Sequence, residues 1–220
     1  MKNADLFNDL SATLAAALFE ETVYPWEVLP RIKDFILALG PTLGSAEYDR
    51  PSENVWIHKS VKRFPNVYIA GPCIIGAETE LRPGAFVRGS ALVGKNCVVG
   101  NSTELKNCIL FDRVQVPHYN YVGDSILGNY AHMGAGSICS NVKSDKTLVT
   151  VRAGAESYPT GLKKFGAILG DHVEVGCNSV LCPGTVLEPY ASVYPLSRVR
   201  GVVRARHIFK SQTDVVARTE

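Results

Sequence analysis

Two pairs of polar residues are spaced so that a repeating fold would bring them together. Arg88 and Lys106 are 18 apart in the sequence, and each directly follows an aliphatic residue, Val87 and Leu105. Stacked on one edge, they present a planar guanidinium fork beside an ammonium point charge, a combination suited to phosphate. Two cations on a solvated edge are the plain alternative. His118 follows Pro117, and Glu104 precedes it by 14. A carboxylate on one imidazole nitrogen fixes the tautomer and leaves the other nitrogen as a base. A loop histidine without such a partner is commonly inert, so both readings depend on what the fold places side by side.

The fold that has to position these residues is written in a period of six. From Ile69 to Phe111 an aliphatic or aromatic residue recurs at every sixth position: Ile69, Ile75, Leu81, Val87, Val93, Val99, Leu105 and Phe111. A second column of mostly small residues follows four positions later, at Cys73, Thr79, Ala85, Ala91, Cys97, Thr103 and Ile109. Period six fits neither a helix nor an ordinary strand. It predicts a solenoid with three flat sides per coil, so that residues 18 apart stack in adjacent coils at about 4.8 Å.

The small column extends back through Val67 and Val61 to Val55, which places the start of the solenoid near Val55. The register breaks at residues 116 to 124, returns at Leu127 and Met133, and is interrupted again over 140–165. That second interruption predicts a strand at Leu148-Val149-Thr150-Val151 and a turn at Ala153-Gly154-Ala155-Glu156, an excursion of the kind that carries binding groups. Strict sixes resume from Leu169 to Val199. Ahead of the solenoid, residues 1–54 predict a helical hairpin and a polar connector. Leu6, Leu10, Leu14 and Leu18 mark a helix over residues 5 to 20, and Pro25 opens a second one from Trp26 to Leu39. The hairpin is expected to cap the open end of the coils or to support a subunit contact. Residues 55–203 form the solenoid domain, and 204–220 a basic, loosely held tail.

Composition narrows the function. Lys and Arg number 23 against 21 Asp and Glu, a formal charge of +2, with no basic run interleaved with aromatics, so nucleic acid is set aside as a partner. The polar start and the lack of an apolar run near the roughly 18 residues that span a bilayer predict a cytoplasmic protein without a membrane segment. Six cysteines without a C-x-x-C pair read as buried thiols, and no metal site is expected.

In chain order come Leu81-Arg82-Pro83-Gly84-Ala85, Gly100 through Lys106, Pro117-His118-Tyr119-Asn120-Tyr121-Val122-Gly123-Asp124, Gly134-Ala135-Gly136 through Asn141, and Lys163-Lys164-Phe165-Gly166-Ala167. Together they resemble the left-handed β-helix acetyltransferase domain at the C-terminal end of bifunctional N-acetylglucosamine-1-phosphate uridylyltransferases and of archaeal sugar-1-phosphate nucleotidylyltransferases. The resemblance covers about residues 55 to 203, and its most specific part is the H-x-x-Y-x-G-D block. It implies a left-handed parallel β-helix, an all-β solenoid of hexapeptide repeats, together with a homotrimer and acetyl-CoA as co-substrate. It further implies that His118 is the general base with Glu104 as its partner, and that Tyr121, Asn141 and Lys164 contact the sugar. Arg88 and Lys106 fall where the family binds phosphate, with Arg82 of the R-P-G-A block as the alternative. Ala135, Asn141 and Cys177 fall where acetyl-CoA is held. His132 departs from the pattern, standing where the bifunctional enzymes place a substrate-binding asparagine, which leaves the amino sugar open.

The expected activity is therefore an acetyl-CoA-dependent N-acetyltransferase acting on an amino-sugar phosphate. Uridylyl transfer is not expected, because no Gly-rich nucleotide loop precedes the coils. A non-catalytic trimeric module that binds a sugar nucleotide or assembles a partner is the alternative. A metal-dependent hydratase on the same fold would need His118, His132 and His172 on one edge, and their spacings of 14 and 40 do not suggest one.

Overall fold

The computed structural model describes residues 1 to 218. From Val55 the chain winds as a left-handed parallel β-helix with three flat faces. Face one stacks strands such as Glu80–Leu81, Val98–Asn101, Gln115–His118, His132–Met133 and Glu174–Val175. Face two stacks Phe86–Val87 on the first half of Glu104–Leu110, then the first half of Tyr121–Leu127, then Ile138–Cys139. Face three takes the second halves of those two long strands, with Cys73–Ile75 and Ala91–Val93 before them and Ala167–Leu169 after.

The interior follows the six-residue columns as far as Leu105 and then departs from them. Leu110, not Phe111, is the partner of Val93 in the next coil, and Leu127 follows it. The cause lies in the corner between faces two and three. In this coil the strand runs through that corner with a single residue, Asn107, in the left-handed region at φ 48°, and Asp124 repeats the arrangement one coil on. Each of these coils is one residue short, so Cys108 takes the small interior place and Ile109 turns outward.

Phe111 instead stacks on Phe7 at 4.7 Å between ring centroids and meets Phe19 edge-on at 5.3 Å. Side chains alternate across a strand, and on face three the outward set is apolar: Ile74, Leu92, Ile109, Ile126, Ile168 and Val186, all fully buried. The N-terminal segment covers them. It therefore lies along the side of the coils and does not cap their end.

Nor does that segment form two long helices. It is broken into Asn3–Leu6, a 3₁₀ turn at Leu10–Ala12, Ala16–Glu20, a 3₁₀ stretch at Pro25–Arg31 and the helix Ile32–Leu39. Two carbonyls explain the first break. Leu6 accepts from the Asp171 N–H at 3.0 Å and Ala12 from the Asp112 N–H at 2.8 Å, so neither is left for an unbroken helical ladder.

The ends of the coils are closed by hairpins. Tyr48–Ser52 runs antiparallel to Val55–His58, and Asp214–Ala217 antiparallel to His207–Ser211, which leaves a short strand at each edge. Residues 204 to 217 thus extend the solenoid, with Phe209 buried beside Val193, where a loose tail was expected over 204–220; its last two residues lie outside the described ones. The 140–165 excursion is a hairpin of Thr150–Ala153 and Glu156–Pro159, held down by buried Val149 and Val151.

Candidate active site

The short corner between faces two and three gathers a polar cluster. Asp124 is 3% exposed and accepts from Lys106 Nζ at 2.9 and 3.1 Å and from Asn107 Nδ2 at 2.9 Å. Asn141 donates to the same carboxylate and, at 3.2 Å, to the Tyr121 hydroxyl. Burial pushes the Tyr121 phenol up, and the nearby Asp124 and Glu104 carboxylates add to the shift. The second amide contact of Asn107 is the Leu29 carbonyl at 3.3 Å, so the N-terminal segment is tied to the cluster. Lys164 is exposed next to it, since Phe165 N–H bonds to the Asn141 carbonyl.

Arg88 and Lys106 occupy equivalent places in successive coils, as their spacing predicts. Each already has a carboxylate: Arg88 donates to Glu104 at 2.6 Å, which raises its guanidinium pKa, and Lys106 is held by Asp124. The Glu104–His118 dyad does not form in this structure. Glu104 begins face two in register with Tyr121, whereas His118 ends face one in register with Asn101, and no hydrogen bond joins them among the described residues.

His118 is exposed and firmly seated. Its backbone N–H donates to Asn120 Oδ1 at 3.1 Å, and the buried Asn120 amide donates to the Gly134 carbonyl at 2.8 Å and to Ser137 Oγ at 3.1 Å. Gly136 N–H bonds to the His118 carbonyl, and Asn178 N–H to that of Ala135. His118, Ala135 and Cys177 thus hold one position in three successive coils, a column about 10 Å long at the strand spacing. Cys177 is exposed, whereas burial pushes Cys73, Cys97 and Cys139 up to about 12.

Three other candidates lie away from this corner. Arg82 sits on face one, bonded to Glu80 at 2.8 Å, one residue from the His118 column and on a different face from Lys106. His132 faces out of face one with Nδ1 2.7 Å from Glu174. His172 is stacked between Tyr130 and Tyr190 at 4.9 and 4.7 Å, so the three histidines are not gathered. Asp124 and Asn120 are the residues that sequence reasoning did not single out. Their signal was present, because both sit in the Pro117–Asp124 block and Asp124 follows Lys106 at the same interval that separates Lys106 from Arg88.

Comparison with known proteins adds an independent line. Residues 69–195 match the GMPPB C-terminal domain family. A bifunctional sugar-1-phosphate nucleotidylyltransferase/acetyltransferase of Sulfurisphaera tokodaii is 30% identical over 164 residues, covering 66% of this chain and 41% of that protein. A protein named bifunctional protein GlmU from Methanococcus vannielii is 33% identical over 162 residues, covering 73% of this chain and 39% of the relative. The chain thus spans about two fifths of the length of these curated relatives. Among solved structures, the acetyltransferase domain of PglB from Neisseria gonorrhoeae, in complex with acetyl coenzyme A, aligns at 12% identity and a TM-score of 0.32. That alignment covers 84% of this chain and 64% of that one.

Proposed function

We propose, for a chain that belongs to the GMPPB C-terminal domain family, an acetyl-CoA-dependent N-acetyltransferase acting on an amino-sugar phosphate. The observation that carries the reading is the pairing of two arrays: the His118–Ala135–Cys177 column and, round the next corner, the Tyr121–Asp124–Asn141–Lys106 cluster. The acetyltransferase named in the Sulfurisphaera relative supports the same reaction.

In this reading acetyl-CoA lies along the column, against Ala135 and Cys177, and brings its thioester to His118. The sugar lies against Tyr121, Asn141 and Lys164. His118 takes a proton from the sugar amine as its nitrogen forms the N–C bond. The C–S bond then breaks, and the thiolate leaves with CoA. Backbone N–H groups at the corner steady the carbonyl oxygen as it gains charge. Arg88 and Lys106 meet the substrate's phosphate in competition with Glu104 and Asp124, so the carboxylates act as placeholders that keep both cations in position. Glu104 here positions Arg88 and not His118. Arg82, on the other face, takes no part in holding the sugar phosphate, and His132 contributes to the sugar site only from a neighbouring copy. The protein works as a homotrimer in the cytoplasm; among the described residues no helix is long and apolar enough to cross a membrane.

The test is CoA release from acetyl-CoA with a panel of amino-sugar phosphates and the corresponding unphosphorylated sugars. Turnover of an amino-sugar phosphate, with the sugar lacking phosphate poorer by about tenfold or more, is the expected result. Binding of both substrates without transfer would favour the non-catalytic module.

A further inference from the structure

The inserted hairpin does not lie flat on the coils but roofs a cavity of about 500 Å³. Its floor continues the column that carries Arg88 and Lys106: after Gly123 the same position is held by Ser140, Cys182 and Arg200 in successive coils. The roof and walls bring Ser144, Thr150 and Arg152.

The approach of hairpin to coil is specific. A Cβ on Gly201, at φ +84°, would stand 2.8 Å from the Arg152 carbonyl oxygen, and one on Gly184, at φ +81°, 2.8 Å from Val149 Cγ1. Two glycines in successive coils therefore let the hairpin close over this floor.

Several polar groups of the lining, with Ser144, Arg152 and Arg200 exposed to solvent, have no partner among the described residues. Among the described residues, the side chains of Ser140, Ser144, Thr150, Arg152 and Arg200 make no hydrogen bond or ion pair to the rest of the chain, although all line one cavity. The acidic residue in the lining, Asp145, accepts from the Thr147 N–H at 3.0 Å and its other oxygen lies 3.5 Å from Lys143 Nζ, so these two charges offset each other. Both guanidiniums remain uncompensated. By contrast Arg88 and Lys106 are each bound to a carboxylate. Guanidinium forks and hydroxyls in one lining suit phosphate oxygens, and the volume falls within the range of small-molecule sites.

We infer that the cavity under the 140–165 hairpin is a binding site for a phosphorylated small molecule, whose phosphate oxygens are held by Arg152 and Arg200 with Ser140, Ser144 and Thr150. The site stands apart from the proposed transfer chemistry, since it uses neither His118 nor Lys106.

The probe is inorganic pyrophosphate titrated calorimetrically into the full chain, a measurement that involves no acetyl transfer and can succeed or fail independently of it. Titrated in the Arg88→Ala background, where the proposed sugar-phosphate contact is removed, saturable binding is expected, weakened about tenfold or more by Arg152→Ala and by Arg200→Ala and partly restored by Arg200→Lys. Neither arginine side chain has a polar partner among the described residues, so the variants should keep the wild-type melting temperature. In that background, no binding at millimolar pyrophosphate, or binding that survives loss of both Arg152 and Arg200, overturns the site. The same two variants assayed for transfer identify the source of the phosphate. A raised KM for acetyl-CoA assigns it to the cofactor, a raised KM for the amino-sugar phosphate to the sugar, and unchanged values for both to a separate ligand. If the wild type also shows no transfer activity, the calorimetric result still decides the site.

Discussion

Lys106 and Asp124 face each other across a single coil, with Nζ 2.9 Å from Oδ1, and their exposure is unequal: 27% for the lysine side chain and 5% for the aspartate. The one-residue corners at Asn107 and Asp124 create this contact, because they bring the carboxylate under the ammonium of the preceding coil.

That inequality makes the pair asymmetric to mutation. Lys106→Ala leaves a buried carboxylate without its charge partner and should cost about 3 kcal/mol, whereas Asp124→Asn leaves an ammonium that can turn to water and should cost about 1–2 kcal/mol. Urea unfolding of both variants measures the difference. Equal costs, or the reverse order, would contradict the burial of the carboxylate.

The Phe7–Phe111 stack should couple the N-terminal segment to the coils. Phe111→Ala is expected to lose about 3–5 kcal/mol, and the double variant with Phe7→Ala to lose less than the sum of the singles by about 0.5–1.5 kcal/mol. Strict additivity would mean that the rings do not meet in solution.

Much of the architecture was legible because the coil repeats. Ile69 to Leu105 fill the interior at sixes since each side of the coil uses one hexapeptide, and Val55 opens the solenoid where its column begins. Phe111 and Ile109 were misplaced because a coil one residue short looks like an unbroken period until the strands are paired. The helical pattern of Leu6 to Leu18 was real as an apolar face, but its backbone answers to Asp112 and Asp171, which lie far off in sequence. Hydrophobic spacing carries no trace of such bonds. The stacking of Arg88 on Lys106 followed from spacing alone, while their carboxylate partners did not. The alignment of Ala135 with Cys177 bridges the whole excursion, and only the family resemblance pointed to it.

Asp171 gives a pH test. Its carboxylate accepts from the Asn8 and Asn129 N–H groups, yet burial raises its pKa above the unfolded value of 3.8. A carboxyl whose folded pKa is raised binds more protons in the folded state. Its contribution is complete below the unfolded pKa and is lost as pH rises through the folded one. The stability advantage of wild type over Asp171→Ala, from urea unfolding, should therefore shrink as pH rises from the unfolded carboxylate range through the raised folded pKa. An advantage that grows as pH rises would contradict the burial of Asp171.

Assembly is tested by sedimentation equilibrium, where the proposed homotrimer should have about three times the 23.9 kDa of one chain. A monomer at micromolar concentration that still turned over would remove the need for a neighbouring copy, and with it the role given to His132.

The most direct measurement is the steady-state rate of acetyl transfer from acetyl-CoA to an amino-sugar phosphate, compared between wild type and His118→Ala. With His118 as the general base, kcat should fall by about 10²–10⁴ while the KM of both substrates changes little. Glu104→Gln should act mainly through the KM of the sugar phosphate, since its carboxylate holds Arg88. A wild-type rate left intact by His118→Ala would contradict the assignment of the base and, with it, the placement of the reaction beside the His118–Ala135–Cys177 column.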